Sequence, residues 1–213
     1  MDIEDTWRAV DTERHKLHRL LQGLSPHQWR HHSLCDGWEV RDVVAHLVLA
    51  SHARVPQLVI SLIRARGDFD RMGRDTALRH AAEADDAELL RRFHDTIGSR
   101  STILGTTPTD RLMDLLVHGQ DIAIPLGIRH EMPPAAAQAA LERIWNPRFP
   151  FRATTTLNGL RLHATDTGWT GGDGLRVEGP ASALLLLAAG RTAAALPALG
   201  GDGAESLRAG QAR

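Results

Sequence analysis

The sequence predicts an α+β fold, with an N-terminal helical bundle over residues 1–147 followed by a small α/β domain over residues 148–213. Three observations carry this reading. Apolar residues recur at helical spacing in successive segments as far as Trp145. The character of the chain changes after "NPRFPF", where short alternating segments are separated by Gly-rich turns. Finally, 213 residues at 42% hydrophobic and 24% charged have the make-up of an ordinary globular chain, long enough for one large or two small domains.

The elements follow in order. Thr6 to Leu21 is helical, with Trp7, Val10, Leu17, Leu20 and Leu21 on one face. "LSPHQW" is a turn, with Ser25 as a cap and Pro26 at a first helical position. A second helix is expected from Asp36, which caps it while Glu39 reaches back; Val40, Val43, Val44, Leu47 and Val48 form its apolar face. Pro56 is expected to kink or split it. Gly67 to Asp75, polar and Gly-containing, reads as a loop. Helices are expected over Asp86–Ile97, over Thr109–Ile124 with Pro125 and Gly127 ending it, and over Pro133–Trp145. "LNGLRLHAT", "GWTGGDG" and "LRVEG" read as short strands around a Gly-rich turn. "PASALLLLAAG" is a buried helix stopped by Gly190.

Composition narrows the function. The formal net charge of -1 argues against nucleic acid or an anionic membrane as the main partner. No apolar run approaches the roughly 18 to 20 residues that span a bilayer. The N-terminus is charged and amphipathic, unlike a signal peptide. Cys35 is the only cysteine, which excludes an intrachain disulfide and a Cys-rich zinc site. A cytoplasmic monomer or homodimer is the expectation. Lys16 stands alone among many arginines, and with abundant Ala and Gly this points to a GC-rich, actinobacterial type of genome.

The chemistry is concentrated in "DLLVHGQDIA". Asp114 and His118 lie four residues apart and project from one helical face. On pattern alone they are either a partly exposed helix edge or half of a metal site. His46, on the apolar "RDVVAHLVL" helix, is either a hydrogen-bonded core residue or a third ligand from a facing helix. Asp121, one turn beyond His118, could orient a ligand or make a solvent-facing salt bridge. Asp42 could orient His46 or simply place negative charge in a first helical turn. Cys35 has no recognisable base nearby in sequence and reads as inert.

"GWEVRDVVAHL" followed by "LMDLLVHGQDIAIPLG" resembles the N-terminal domain of the mycothiol-dependent maleylpyruvate isomerase family, within the DinB-like metal-binding four-helix bundles. "VEGPASALLLLAAGR" resembles that family's small C-terminal domain. The resemblance implies a divalent metal, zinc first and nickel second, held by His46, Asp114 and His118. Asp114 departs from the family pattern, which usually has the longer Glu. It also implies mycothiol as thiol cofactor and a small electrophilic substrate, with addition followed by elimination in an isomerase, or a stable adduct in an S-transferase. Arg191, in "AAGR", matches a family arginine implicated in activity, where it would clamp a carboxylate of thiol or substrate; a plain helix-end charge is the alternative. A metal-dependent hydrolase on the same bundle, or a non-catalytic protein with a degenerate site, remains open.

Overall fold

The computed structural model describes residues 1–52, 69–102, 106–146 and 153–211. Pro56 and most of the "NPRFPF" stretch lie outside these residues. Two compact units are formed, Asp2–His130 and Glu131–Arg213. Helices dominate, and a small three-stranded sheet occupies the C-terminal part, so the fold is α+β as expected. No helix among the described residues is long and apolar enough to cross a membrane.

In the N-terminal unit, α1 (Ile3–Gln22) starts on Asp2, whose carboxylate accepts from the Asp5 N–H at 2.7 Å. Its buried stripe is Trp7, Val10, Leu17 and Leu21. α2 (Pro26–Trp29) carries a full capping box between Ser25 and Gln28, with Pro26 at its start. α3 (Val40–His52) begins later than the sequence suggests. Residues 32 to 39 instead form a tight reversal: His32 and Glu39 pair as a bridge, and the Ser33 N–H donates to the Trp38 carbonyl at 2.9 Å. The capping carboxylate is therefore Asp42, which accepts from the Glu39 N–H at 2.8 Å, and Asp36 stands outside the helix.

α4 (Phe69–Ala82) occupies most of the stretch expected to be a loop. Its inward residues in the last turns are Ala77 and Ala81, spaced i, i+4 and packed in contact with α3. So small a face leaves little amphipathic signal, while the surrounding charges suggest a coil. Arg41 of α3 completes the junction by donating to the Ala81 carbonyl at the end of α4 and to the Ala84 carbonyl just beyond it. α5 (Asp86–His94) is capped by Asp85.

α6 (Pro108–Ala123) lies against both α1 and α3. Thr107 and Asp110 cap it reciprocally, and Pro108 occupies its first turn. At its far end the Ile128 N–H returns to the Ala123 carbonyl across Gly127, whose φ of 66° a side chain would disfavour. On the α1 side, Gly119 makes room for a buried His130–Glu13 pair; a Cβ there would stand 3.0 Å from the His130 Nε2.

The C-terminal unit opens with α7 (Pro134–Trp145), where composition alone suggests continuation of the bundle. Its alanine face, Ala136, Ala137 and Ala140 with Leu141, packs on the leucine-rich α9 (Ala181–Ala188). Between them come a short α8 (Ala153–Thr156) and strands β1 (Leu160–Ala164), β2 (Thr170–Gly171) and β3 (Leu175–Gly179). The sheet order is β2-β1-β3, with β2 antiparallel and β3 parallel to β1. Leu162 pairs with Val177 in register and both are fully buried, so the period-2 pattern sets the inward face. α10 (Thr192–Ala195) and α11 (Asp202–Gln211) close the unit.

Thr107 tests how far the cap supports α6. Thr107→Ala should lower the unfolding free energy by about 1 kcal/mol, read as a shift of the urea midpoint at unchanged slope. An unchanged midpoint would show that packing alone sets this helix start.

Candidate metal centre

α3 and α6 build the site. Val40, Val43, Val44 and Leu47 are almost wholly buried and fix the rotation of α3 about its axis. His46 falls at the edge of that face, with 27% of its side chain exposed. Leu112, Leu115, Leu116 and Ile122 do the same for α6, leaving Asp114 and His118 on the flank that meets His46.

The three side chains converge. Asp114 Oδ1 lies 3.4 Å from the His46 Nε2 and 3.4 Å from the His118 Nε2. One ligand atom from each residue falls within 4.8 Å of the other two. The imidazole rings of His46 and His118 meet edge to face, centroids 4.8 Å apart, and the Trp38 ring lies tilted against His46 at 5.6 Å. Although one methylene shorter than Glu, Asp114 reaches both histidines. Donor separations of this size match the edge of a tetrahedral site with bonds of about 2.0 Å, which is about 3.3 Å.

Other groups hold these three from behind. The Arg111 guanidinium approaches Asp114 Oδ2 at 3.3 Å and donates its other end to the Ala50 carbonyl of α3. One arginine thus ties the carboxylate to the opposite helix. Arg14, fully buried on α1, is pulled down to about 10 by burial and by the charge of Arg111. Behind His118, the Asp121 Oδ2 lies 2.8 Å from Nδ1. Asp121 has no exposed side-chain surface, so it makes no solvent-facing salt bridge. Asp42 serves the start of α3, as described above. The loop before α3 docks on α6 through the Leu34 N–H and the Asp121 carbonyl at 3.1 Å. This brings the Cys35 Sγ within 3.1 Å of Asp121 Oδ2 and 3.8 Å of the His118 Nδ1.

Electrostatics follow from this packing. Burial acts against the charged form of Asp114, but the charge of His46 and hydrogen bonds from both histidines outweigh it, holding the carboxyl well below its usual range. Burial likewise opposes the charged form of His118. Hydrogen bonds with Asp114, Asp121 and Cys35, and the charge of Asp114, override it and hold this imidazole well above its usual range.

Arg191, the fourth residue singled out by sequence, belongs to the C-terminal unit. It precedes α10, is half-buried, and donates from Nη1 to the Ala189 carbonyl at 2.6 Å. Two contributors escaped sequence reading. Arg111 stands three residues before Asp114, a spacing that places it on the same flank and could have flagged it. Cys35 is 86 residues from Asp121, and no local pattern joins them.

Residues 10–110 match the family model described as "Mycothiol maleylpyruvate isomerase N-terminal domain". The matched region includes His46 and stops just short of Asp114. Among solved structures, the mycothiol-dependent maleylpyruvate isomerase and a point mutant of it each superpose with a TM-score of 0.67 at 14% identity, covering 95% of this chain and 93% of theirs. No curated protein sequence matches the chain. Residues 10–110 therefore resemble the mycothiol maleylpyruvate isomerase N-terminal domain family, and the chain as a whole carries the fold of the solved mycothiol-dependent maleylpyruvate isomerase.

Proposed function

We propose that this protein is a mycothiol-dependent metalloenzyme, using its thiol cofactor on a small electrophile either by S-transfer or by cis–trans isomerisation. The observation that carries the reading is the convergence of His46, Asp114 and His118 at ligand spacing within a fold shared with a mycothiol-dependent isomerase. Two imidazoles and one carboxylate suit zinc, with nickel also served by such N/O donors. A divalent ion held by three protein ligands keeps a position open for a thiol and lowers its pKa, supplying a thiolate near neutral pH.

The chain's own residues prepare that position. Arg111 engages Asp114 Oδ2, which leaves Oδ1 as the donor aimed between the histidines. Trp38 and the valine face of α3 shield one side of His46, favouring a single ring orientation. Arg191 is assigned to binding: its guanidinium fork suits a carboxylate or amide oxygens of thiol or substrate, and the bond to Ala189 fixes one end of it. Metal and thiol uptake test the reading. Purified wild type should hold about one divalent ion per chain, and His46→Ala should lose it, since two protein ligands rarely retain a catalytic metal. The cobalt-substituted protein should gain a sulfur-to-metal charge-transfer band with mycothiol. Metal without that band would favour a hydrolase; no metal at all would remove the enzyme reading.

Metal affinity should depend on pH. The metal-free His118 holds a proton that a metal must displace, so affinity should rise about tenfold per pH unit until the His118 pKa is passed. Linkage in the metal-free protein has the matching sign. The raised His118 pKa contributes stability that is complete below about 6.5 and is lost as pH rises through the folded value. The depressed Asp114 pKa contributes stability above about 3.9 that is lost as pH falls through its folded value. Cobalt titrations across about pH 6 to 8 read the first effect directly; a flat profile would mean that His118 binds no proton there.

Arg191→Lys keeps the charge and removes the fork. Turnover should fall about tenfold or more, some 1.4 kcal/mol per tenfold, while metal occupancy stays unchanged. Full turnover in Arg191→Ala would leave only the helix-end role.

A further inference from the structure

We infer that Asp121, pinned by the Cys35 thiol, is a positioning residue for His118: it fixes the proton on Nδ1 and so presents the Nε2 lone pair to the metal. The inference rests on the metal reading above and concerns residues to which that reading gives no role.

Four observations lead to it. His118 turns Nε2 toward Asp114, on the metal side, and Nδ1 toward Asp121 at 2.8 Å. Asp121 is completely buried, and a carboxylate without solvent is costly unless it is hydrogen-bonded to donors. A carboxylate acts only as an acceptor, and of the two that His118 faces Asp121 is the nearer, 2.8 Å from Nδ1 against 3.4 Å from Nε2 to Asp114, so a neutral ring keeps its hydrogen on Nδ1 and leaves Nε2 free to ligate. Finally, the same Asp121 oxygen accepts from Cys35 Sγ at 3.1 Å, on a loop clamped to α6 through the Asp121 carbonyl. Two donors on one oxygen restrict rotation of the carboxylate, so the thiol acts on His118 through Asp121. Asp114 and Asp121 flank His118 at i−4 and i+3, so one helix holds both faces of the ring's hydrogen-bonding plane.

The experiment combines two measurements on the full chain. Nitrogen-15 NMR of the metal-free protein, titrated until the ring is neutral, reads the His118 tautomer. Cobalt titration by visible absorption reads affinity. Wild type should carry the proton on Nδ1. Asp121→Asn, close to isosteric, should populate the Nε2–H tautomer and weaken cobalt binding about ten- to a hundredfold. Cys35→Ala should weaken binding about threefold or more, and Cys35→Ser, which restores a donor, should recover most of it. Wild-type tautomer in Asp121→Asn overturns the inference, whether or not affinity falls, because lost affinity alone would be structural. Unchanged affinity in Cys35→Ala overturns the part given to the thiol. If Asp121→Asn fails to fold, the Cys35 pair and the wild-type tautomer decide; Nε2–H in wild type then sinks the idea. A wild type that binds no cobalt refutes the metal reading instead, and remains distinguishable because the tautomer is read without metal.

Discussion

The contact on which the site depends is the meeting of one oxygen, Asp114 Oδ1, with imidazoles from two helices. His46 and His118 come from α3 and α6, and their rings approach edge to face at 4.8 Å. Two imidazoles directed at each other without an intervening anion would repel when both are protonated. Asp114 removes that conflict and turns it into attraction, which is why its carboxyl sits well below the ordinary range despite burial. Arg111 extends the link by joining the other Asp114 oxygen to the Ala50 carbonyl of α3. The α3–α6 seam is therefore closed by apolar packing below and by a charged network above.

This division of labour governs what can be changed. The valines of α3 and leucines of α6 set helix rotation, and each fully buried one stabilises by about 1.5–3 kcal/mol. The polar cluster adds less net stability, because desolvating its charges offsets most of their mutual attraction. Such a network is retained more readily for what it binds than for what it stabilises. The second buried pair beside α6, Glu13 with His130, has a different setting: it packs against Gly119 on the face toward α1, and the Gln120 amide donates to the His130 carbonyl. It anchors the chain after α6.

Much of this was legible in the sequence, and the misses have physical causes. Helices with large apolar faces, α1, α3 and α6, announce themselves by period. The i, i+4 placement of Asp114 and His118 follows from helix geometry alone, and His46 followed from its position on an apolar helix together with family resemblance. α4 escapes the pattern because the buried positions of its last turns, Ala77 and Ala81, are too small to register as an apolar stripe. The start of α3 was misplaced because Asp36 and Asp42 both stand three residues from Glu39, and only the His32–Glu39 bridge decides which of them caps. Cys35 was read as inert because its partners, Asp121 and His118, are brought to it by a loop docked across the fold. α7 joins the C-terminal unit because its alanine face fits the leucines of α9, a preference that composition does not express.

Charge accounting gives the cluster its chemical bias. The Asp114 and Asp121 carboxylates face Arg111 and His118, and their hydrogen bonds with His118 favour its protonated form, so negative charge near the cluster is largely offset by positive. A divalent cation held there in place of a proton on His118 would add one positive charge to a partly desolvated site. A neutral fourth group would leave it uncompensated, whereas an anionic one restores the balance, and at lower effective dielectric this difference is worth more than in water. Arg111 makes the bias stronger, because its charge offsets that of the Asp114 carboxylate toward the ion. A site built this way favours an anionic fourth group, thiolate or hydroxide, over a neutral one.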